Sequence, residues 1–330
     1  MVIIFKQKPS IIATSAIAGP LEKRCVFQSY FDEISTDERF GQKTNEQGQS
    51  ALIHRTVQQV LHKSGLRNMD IDYFLSGDLI NQMTPTNFAA QQLAISFIGL
   101  FSACATSVSS LIVASLLTEL GASRFSIAGA SSHHNATERQ FRYPVLYGSQ
   151  KPGYAQWTVT AAGYAVVASH ESGRPYIASA TVGKVIDYQQ DDPLHMGAAM
   201  APAAFDTIQS HLQGRNQKLS DYDAIFTGDL GKYGLQLLKV MLHDEGEHNH
   251  DMLRDAGAEY FGEDQRFLAG ASGAGCSASV YFSYVIEQLK TGRYRRVLLV
   301  ATGALLSPMT YQQGQTIPCT AHAVEIVMEG

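Results

Sequence analysis

The chain lacks the features that would tie it to a disulfide frame, a nucleic acid or a bilayer. Its four cysteines (Cys25, Cys104, Cys276 and Cys319) lie far apart, with no C-x-x-C pair. That spacing suits reduced, intracellular thiols and neither a disulfide scaffold nor a zinc site. Lysine and arginine form no run and the net charge is −5, which argues against a nucleic-acid partner. The longest apolar stretches, Val108–Leu120 and Val297–Leu306, are interrupted by Ser, Thr or Gly and are too short to span a bilayer. Met1–Ser10 carries two lysines but no apolar core of signal-peptide length. The expectation is a cytoplasmic protein without signal peptide or transmembrane segment, whose contact with a membrane is peripheral. What remains is globular material: 330 residues, 45% hydrophobic and 17% charged, enough for two ordinary domains or one large duplicated body.

An internal match favours duplication. Shifted by 151 positions, Ser50–Leu79 lands on Ala201–Leu230 without a gap. Val57 meets Ile208, Leu61 meets Leu212, Asp72 meets Asp223, and Ser76-Gly77-Asp78-Leu79 meets Thr227-Gly228-Asp229-Leu230. Each copy reads as an amphipathic helix, a polar turn and an apolar strand. A second pair follows in the same order. Cys104–Gly121 and Cys276–Gly292 read as helices stopped by glycine, each followed by arginine and a strand (Phe125–Ala130 and Val297–Thr302). Both helices are small or apolar on every side near their starts, so both are expected to be buried on every side. Two such helices, one per half, fit between two sheets, with the repeated helices on the outer faces.

Cys104 stands where the strand Phe97–Phe101 turns into the first of these helices. The opening N–H groups of a helix lack internal partners and favour a thiolate or a bound anion. The position therefore suits a nucleophile or an anion receptor, and a buried structural thiol is the alternative. Thr106 adds a hydroxyl on the same turn. Asp78 and Asp229 follow twin strands; for Asp78 a turn or cap role is expected. The segment His133–Arg142 follows a strand and carries Arg139 and Arg142, suited to a carboxylate or, equally, to a surface contact. Gly270–Gly275, with Ser272 and Gly273, opens the second buried helix and offers either backbone donors to an anion or close packing. His243–Asp251, rich in His and acids, reads as a metal tract or a solvated loop. Trp157, with Thr158 and Thr160, precedes a glycine-containing strand.

A duplicated α/β body with a buried helix starting at a cysteine resembles the thiolase and β-ketoacyl synthase superfamily. More narrowly the chain resembles the stage V sporulation protein AD (SpoVAD) family. The residues that carry this are Ala130–Pro144, Ser179–Lys184, Met200–Ala204, Thr227–Leu230, Val300–Pro308, and Ile317-Pro318 with Ala321–Val324. The resemblance implies a thiolase-like five-layer αβαβα fold with mixed sheets, in two duplicated halves, 1–172 and 173–330. It also implies a homodimer and a role in binding dipicolinic acid (pyridine-2,6-dicarboxylate) for uptake into the developing spore. The partners would be the other SpoVA proteins, at the spore inner membrane.

Condensing relatives need a histidine base and a second histidine or asparagine to complete the oxyanion site. The two positions where the relatives carry them read here Gly228-Asp229-Leu230-Gly231 and Gly270–Gly275, and no asparagine follows Asn249. His322 is the histidine placed near the relatives' closing loop. The expectation is a non-enzymatic ligand binder with contacts from Cys104, Thr106, Arg142, Thr158, Asp229, Ser272, Gly273 and His322. No cofactor is expected, though Ca²⁺ could accompany dipicolinate and meet Asp229. Two alternatives stay open: an acyltransferase or ketosynthase using Cys104 with His322, and a scaffold that recruits SpoVA membrane proteins.

Overall fold

The computed structural model describes residues 1–141 and 151–329. Its strands are β1 (Val2–Ile4), β2 (Ser10–Ala18), β3 (Glu33–Ile34), β4 (Tyr73–Gly77), β5 (Phe97–Gly99), β6 (Phe125–Ser132) and β7 (Trp157–Thr158). They continue with β8 (Ala161–Ala168), β9 (Tyr176–Ile186), β10 (Ala224–Thr227), β11 (Leu253–Asp255), β12 (Ala271–Ser272), β13 (Arg296–Ala304) and β14 (Cys319–Val327). The helices are α1 (Asn45–Ser64), α2 (Thr84–Leu93), α3 (Thr106–Glu119), α4 (His134–Phe141) and α5 (Met196–Arg215). After them come α6 (Gly231–Asp244), α7 (Ala256–Glu259), α8 (Ala274–Val280), α9 (Ile286–Lys290) and α10 (Pro308–Gln312).

The repeat seen in the sequence extends to single hydrogen bonds. Helices α1 and α5 start and stop 151 residues apart. Each ends on a left-handed residue, Gly65 (φ 70°) and Asn216 (φ 51°), the two residue types that tolerate that conformation best. The Arg67 and Lys218 amides then donate to Asp70 and Asp221, at 2.8 Å in both copies. Asp72 accepts from the amides of Arg124 and Phe125, and its twin Asp223 from those of Arg295 and Arg296. Each pins the turn ahead of the inner strand β6 or β13.

The main sheet is mixed and twelve-stranded, and its central path runs β11-β10-β13-β14-β9-β2-β8-β6-β4-β5. Outward from the middle, the order β2-β8-β6-β4-β5 repeats as β9-β14-β13-β10-β11, with the same sequence of antiparallel and parallel pairings. In the sheet β2 and β9 join through one register pair, Ser10 opposite Tyr176, while β1 crosses over to pair with β9. Helices α1 and α2 cover one outer face and α5 and α6 the other, whereas α3 contacts strands of both halves. Three apolar clusters fill the spaces between these layers. This is the expected five-layer αβαβα arrangement with mixed sheets.

The second buried helix departs from expectation. It is not one helix from Cys276 to Gly292 but α8, a wide π-type turn over Tyr281–Val285, and α9. The widened turn carries three buried aromatic rings, and Tyr281 donates to the Phe226 carbonyl at 2.9 Å. Such turns fit an extra residue into a helix where packing demands it.

The middle layer is thin because glycines let it be. A Cβ on Gly275 would sit 2.2 Å from the Ala161 carbonyl oxygen, and one on Gly163 2.2 Å from that of Ala278. Helix α8 therefore lies on β8 at backbone distance. Gly275→Ala is expected to lower stability by about 1–3 kcal/mol through forced separation of these elements. Gly153→Ala, where a Cβ meets only the Tyr233 hydroxyl at 3.9 Å, is expected to be near neutral. Urea midpoints compare the two; equal midpoints would contradict the packing account.

Candidate functional site

The loop bearing Cys104 is clamped between the ends of inner strands from the two halves. A Cβ on Gly77, at the end of β4, would fall 1.9 Å from the Leu100 carbonyl oxygen; one on Gly303, in β13, would fall 2.2 Å from that of Ser102. Inside this clamp Ala103 is forced to φ 47°, an uncommon conformation for a residue with a side chain. A single 3₁₀ turn, Ala103–Ala105, then leads into α3. Thr106 locks that turn: its hydroxyl donates to the Ala103 carbonyl at 2.7 Å and accepts from the Ser102 amide at 3.1 Å. Below the cysteine, Ser107 and Ser277 join α3 to α8 by hydroxyls 2.7 Å apart.

The Cys104 thiol favours the charged form of the Asp229 carboxyl beside it. Asp229 is wholly buried and accepts from the Gly273 amide at 2.9 Å, the Ser272 hydroxyl at 3.1 Å and the Thr302 hydroxyl at 3.4 Å. Burial pushes its pKa up to about 7, against the pull of the Gly273 and Cys104 hydrogen bonds and with a further push from the Asp255 charge. The arrangement sets a thiol beside a carboxyl poised near neutrality.

Above them Cys104, Thr158 and Ser272 line a hollow of about 60 Å³, with Phe101, Met200 and Glu138. Glu138 is 1% exposed, accepts from the Thr158 hydroxyl at 3.1 Å and pairs with Lys151 at 3.2 Å. His322 lies within β14 at a β-bulge, where its Nδ1 accepts from the Gly183 amide at 3.2 Å. Its proton is therefore on Nε2, and burial lowers its pKa and keeps the ring neutral.

Of the residues singled out from sequence, the structure thus gathers Cys104, Thr158 and Ser272 around one hollow. Asp229 and Gly273 lie directly behind Ser272, Thr106 holds the cysteine turn and His322 fills the strand bulge. Arg142 lies outside the described residues. Glu138 and Lys151 went unnoticed as a site pair; the signal was the single acid between Asn135 and Arg139 in a segment already marked for its arginines. Asp78 caps α2 as expected, accepting from the amides of Ile80 and Thr86. Arg139 pairs with Glu46. In the tract His243–Asp251, His250 bonds locally to the Glu247 carbonyl, and no metal-competent group of three ligands is found among the described residues. Cys276 and Cys319 are core thiols. Among those residues no helix is long and apolar enough to cross a membrane.

A duplicated five-layer body with a cysteine at the start of its inner helix is the fold of the thiolases and ketoacyl synthases. Solved structures bear this out. Human mitochondrial 3-ketoacyl-CoA thiolase in complex with CoA matches with a TM-score of 0.62 and 10% identity, over 99% of this chain and 100% of that one. 3-Oxoacyl-[acyl-carrier-protein] synthase III from Aquifex aeolicus VF5 gives 0.59 and 12%, over 97% and 99%. A single-residue variant of Xanthomonas campestris OleA bound with cerulenin gives 0.63 and 14%, over 98% and 97%. These likenesses are in fold. Within that fold the chain belongs to the stage V sporulation protein AD (SpoVAD) family, whose model matches residues 1–327. It is 43% identical over 321 residues to stage V sporulation protein AD of Bacillus subtilis (strain 168), covering 97% of this chain and 95% of that one.

The Asp229 assignment has a thermodynamic signature. Its folded pKa is raised, so the folded chain holds more proton than the unfolded one from about pH 4 to about 7, and stability falls as pH rises across that window. Asp229→Asn removes this component. The slope of unfolding free energy against pH is then expected to become less negative, by up to ~1.4 kcal/mol per pH unit between about pH 5 and 7. Urea midpoints taken across that range measure it, and parallel slopes for the two proteins would rule the assignment out.

Proposed function

We propose that the protein binds dipicolinic acid without catalysing a reaction on it, and works with other SpoVA proteins in its uptake into the developing spore. The observation that supports this reading is the hollow lined by Cys104, Thr158 and Ser272, with Asp229 buried behind Ser272. A condensing enzyme needs its sulfur to lose a proton to a base; His322, the histidine the sequence offers, has its Nδ1 taken by the Gly183 amide, and the acid behind the hollow is the Asp229 carboxyl. That carboxyl titrates near neutrality, so its charge does not bar a dianion from the hollow. The amides of the turn that opens α3 supply donors for the ligand's carboxylates, while Thr158 and Ser272, whose hydroxyl protons go to Glu138 and Asp229, shape the wall. Phe101 and Met200 supply apolar walls for its ring. Thr106, Asp229, Gly273, His322 and Arg142 complete the proposed set, the first three by shaping this floor. Calcium enters as a companion chelated by the ligand itself.

The same reading makes the protein a homodimer of bodies that each comprise the halves 1–172 and 173–330. It places the dimer in the forespore, peripheral to the spore inner membrane. The family assignment to sporulation supports that setting.

Calorimetry against dipicolinate and isophthalate, which keeps the carboxylate spacing and loses the ring nitrogen, tests the binding. Saturable heat with dipicolinate and at least tenfold weaker binding of isophthalate are expected; equal heats, or none, would defeat the proposal. Incubation with acyl-coenzyme A followed by intact-mass measurement tests the absence of catalysis. An unmodified mass is expected, and an adduct that disappears in Cys104→Ala would establish the acyltransferase instead.

A further inference from the structure

A second and roomier hollow, about 430 Å³, opens on the other side of β7 from the cysteine. Pro20, Glu22, Glu38, His134, Lys151 and Trp157 are among its lining residues. Nothing in the reading above uses it. Glu22 is 1% exposed, and only one of its carboxyl oxygens is accounted for: Oε1 accepts from the Thr160 amide at 2.9 Å, whereas Oε2 has no partner among the described residues. A buried carboxyl left half-bonded is costly. Burial, with a push from the Glu38 charge, raises the Glu22 pKa to about 7, so near neutral pH it faces the hollow as a carboxyl only part-ionised. Glu38 is bonded to the Asn135 amide group at 2.6 Å and partly offset by Arg39 next to it. Lys151, the Lys or Arg side chain on this lining, is engaged by Glu138. Acceptors and negative charge therefore dominate the wall, beside the Trp157 ring, which stacks on His134 at 4.3 Å.

We propose that this hollow binds a small organic cation bearing protonated amines, held by the carboxyls of Glu22 and Glu38. An ammonium group supplies the N–H donor that Glu22 Oε2 lacks and the positive charge that the pair of acids calls for. A bare metal ion fits less well, because the described residues offer no cluster of three metal-type ligands.

Trp157 is the one tryptophan in the sequence, so intrinsic fluorescence reports on this hollow directly. Butane-1,4-diamine is titrated into the full-length protein at fixed ionic strength, with butane-1,4-diol as the uncharged control. A saturable change in Trp157 emission is expected with the diamine and not with the diol. Glu22→Gln, which keeps the side-chain volume, is expected to weaken the diamine at least tenfold, in line with loss of one charge-assisted hydrogen bond. A thermal melt verifies that the variant is folded, and Glu38→Gln offers the same test where it is not. No saturation with the diamine, equal effects of diol and diamine, or unaltered affinity in the folded variants would each overturn the proposal. Dipicolinate calorimetry on the same variants is expected to be unchanged, which separates failure here from failure of the first site.

Discussion

The structure depends on how closely two helices approach the sheets that enclose them. A layer of ordinary side chains would hold α8 away from β8. Glycine on each partner, Gly275 beneath Ala161 and Gly163 beneath Ala278, removes that spacing. With the layer thin, the ends of β4 and β13 come within reach of one loop, and Gly77 and Gly303 clamp its carbonyls from two sides. The strained Ala103 and the placing of the Cys104 sulfur are consequences of that clamp. A strained backbone persists only where its surroundings overdetermine it, and here the surroundings are both halves of the molecule at once.

Duplication then explains why the chemistry is lopsided. Asp78 and Asp229 are twins by position, yet they do different work. Asp78 caps α2 through Ile80 and Thr86. In the second half that office has passed to Asp255, which accepts from the amides of Leu230, Gly231 and Ala258. Asp229, relieved of capping, turns to Ser272, Gly273 and the cysteine of the other half. One copy of the repeated aspartate thus serves a turn and the other the wall behind Ser272.

Much of this was legible in the sequence, and the boundary between legible and hidden is physical. Helix starts, glycine or asparagine stops and the paired Asp72 and Asp223 are local patterns, so a shift of 151 residues exposes them. The buried character of α3 and α8 was legible from the lack of a polar face. The π-type turn at Tyr281–Val285 was not, because it answers to packing against Phe226, a residue 55 positions away from Tyr281. The bulge that occupies His322 depends on the register between β14 and β9, which no single-strand pattern reveals. The setting of Glu22 likewise arises from contact between distant segments, Glu22 meeting Thr160 across 138 residues.

One ion pair gives the two hollows opposite characters. Glu138 lines the hollow at the cysteine and Lys151 lines the other, and they face each other at 3.2 Å across the partition that also carries Trp157 and Thr158. On the cysteine side the lysine offsets Glu138, Asp229 lies behind it near neutrality, and the amides at the start of α3 leave a positive residue of field. On the far side the same lysine is already matched, so Glu22 and Glu38 set the sign and the field is negative. A low-exposure pair such as this is screened weakly by water, and it acts on both spaces together. Removing Lys151 would therefore change the field in both hollows at once.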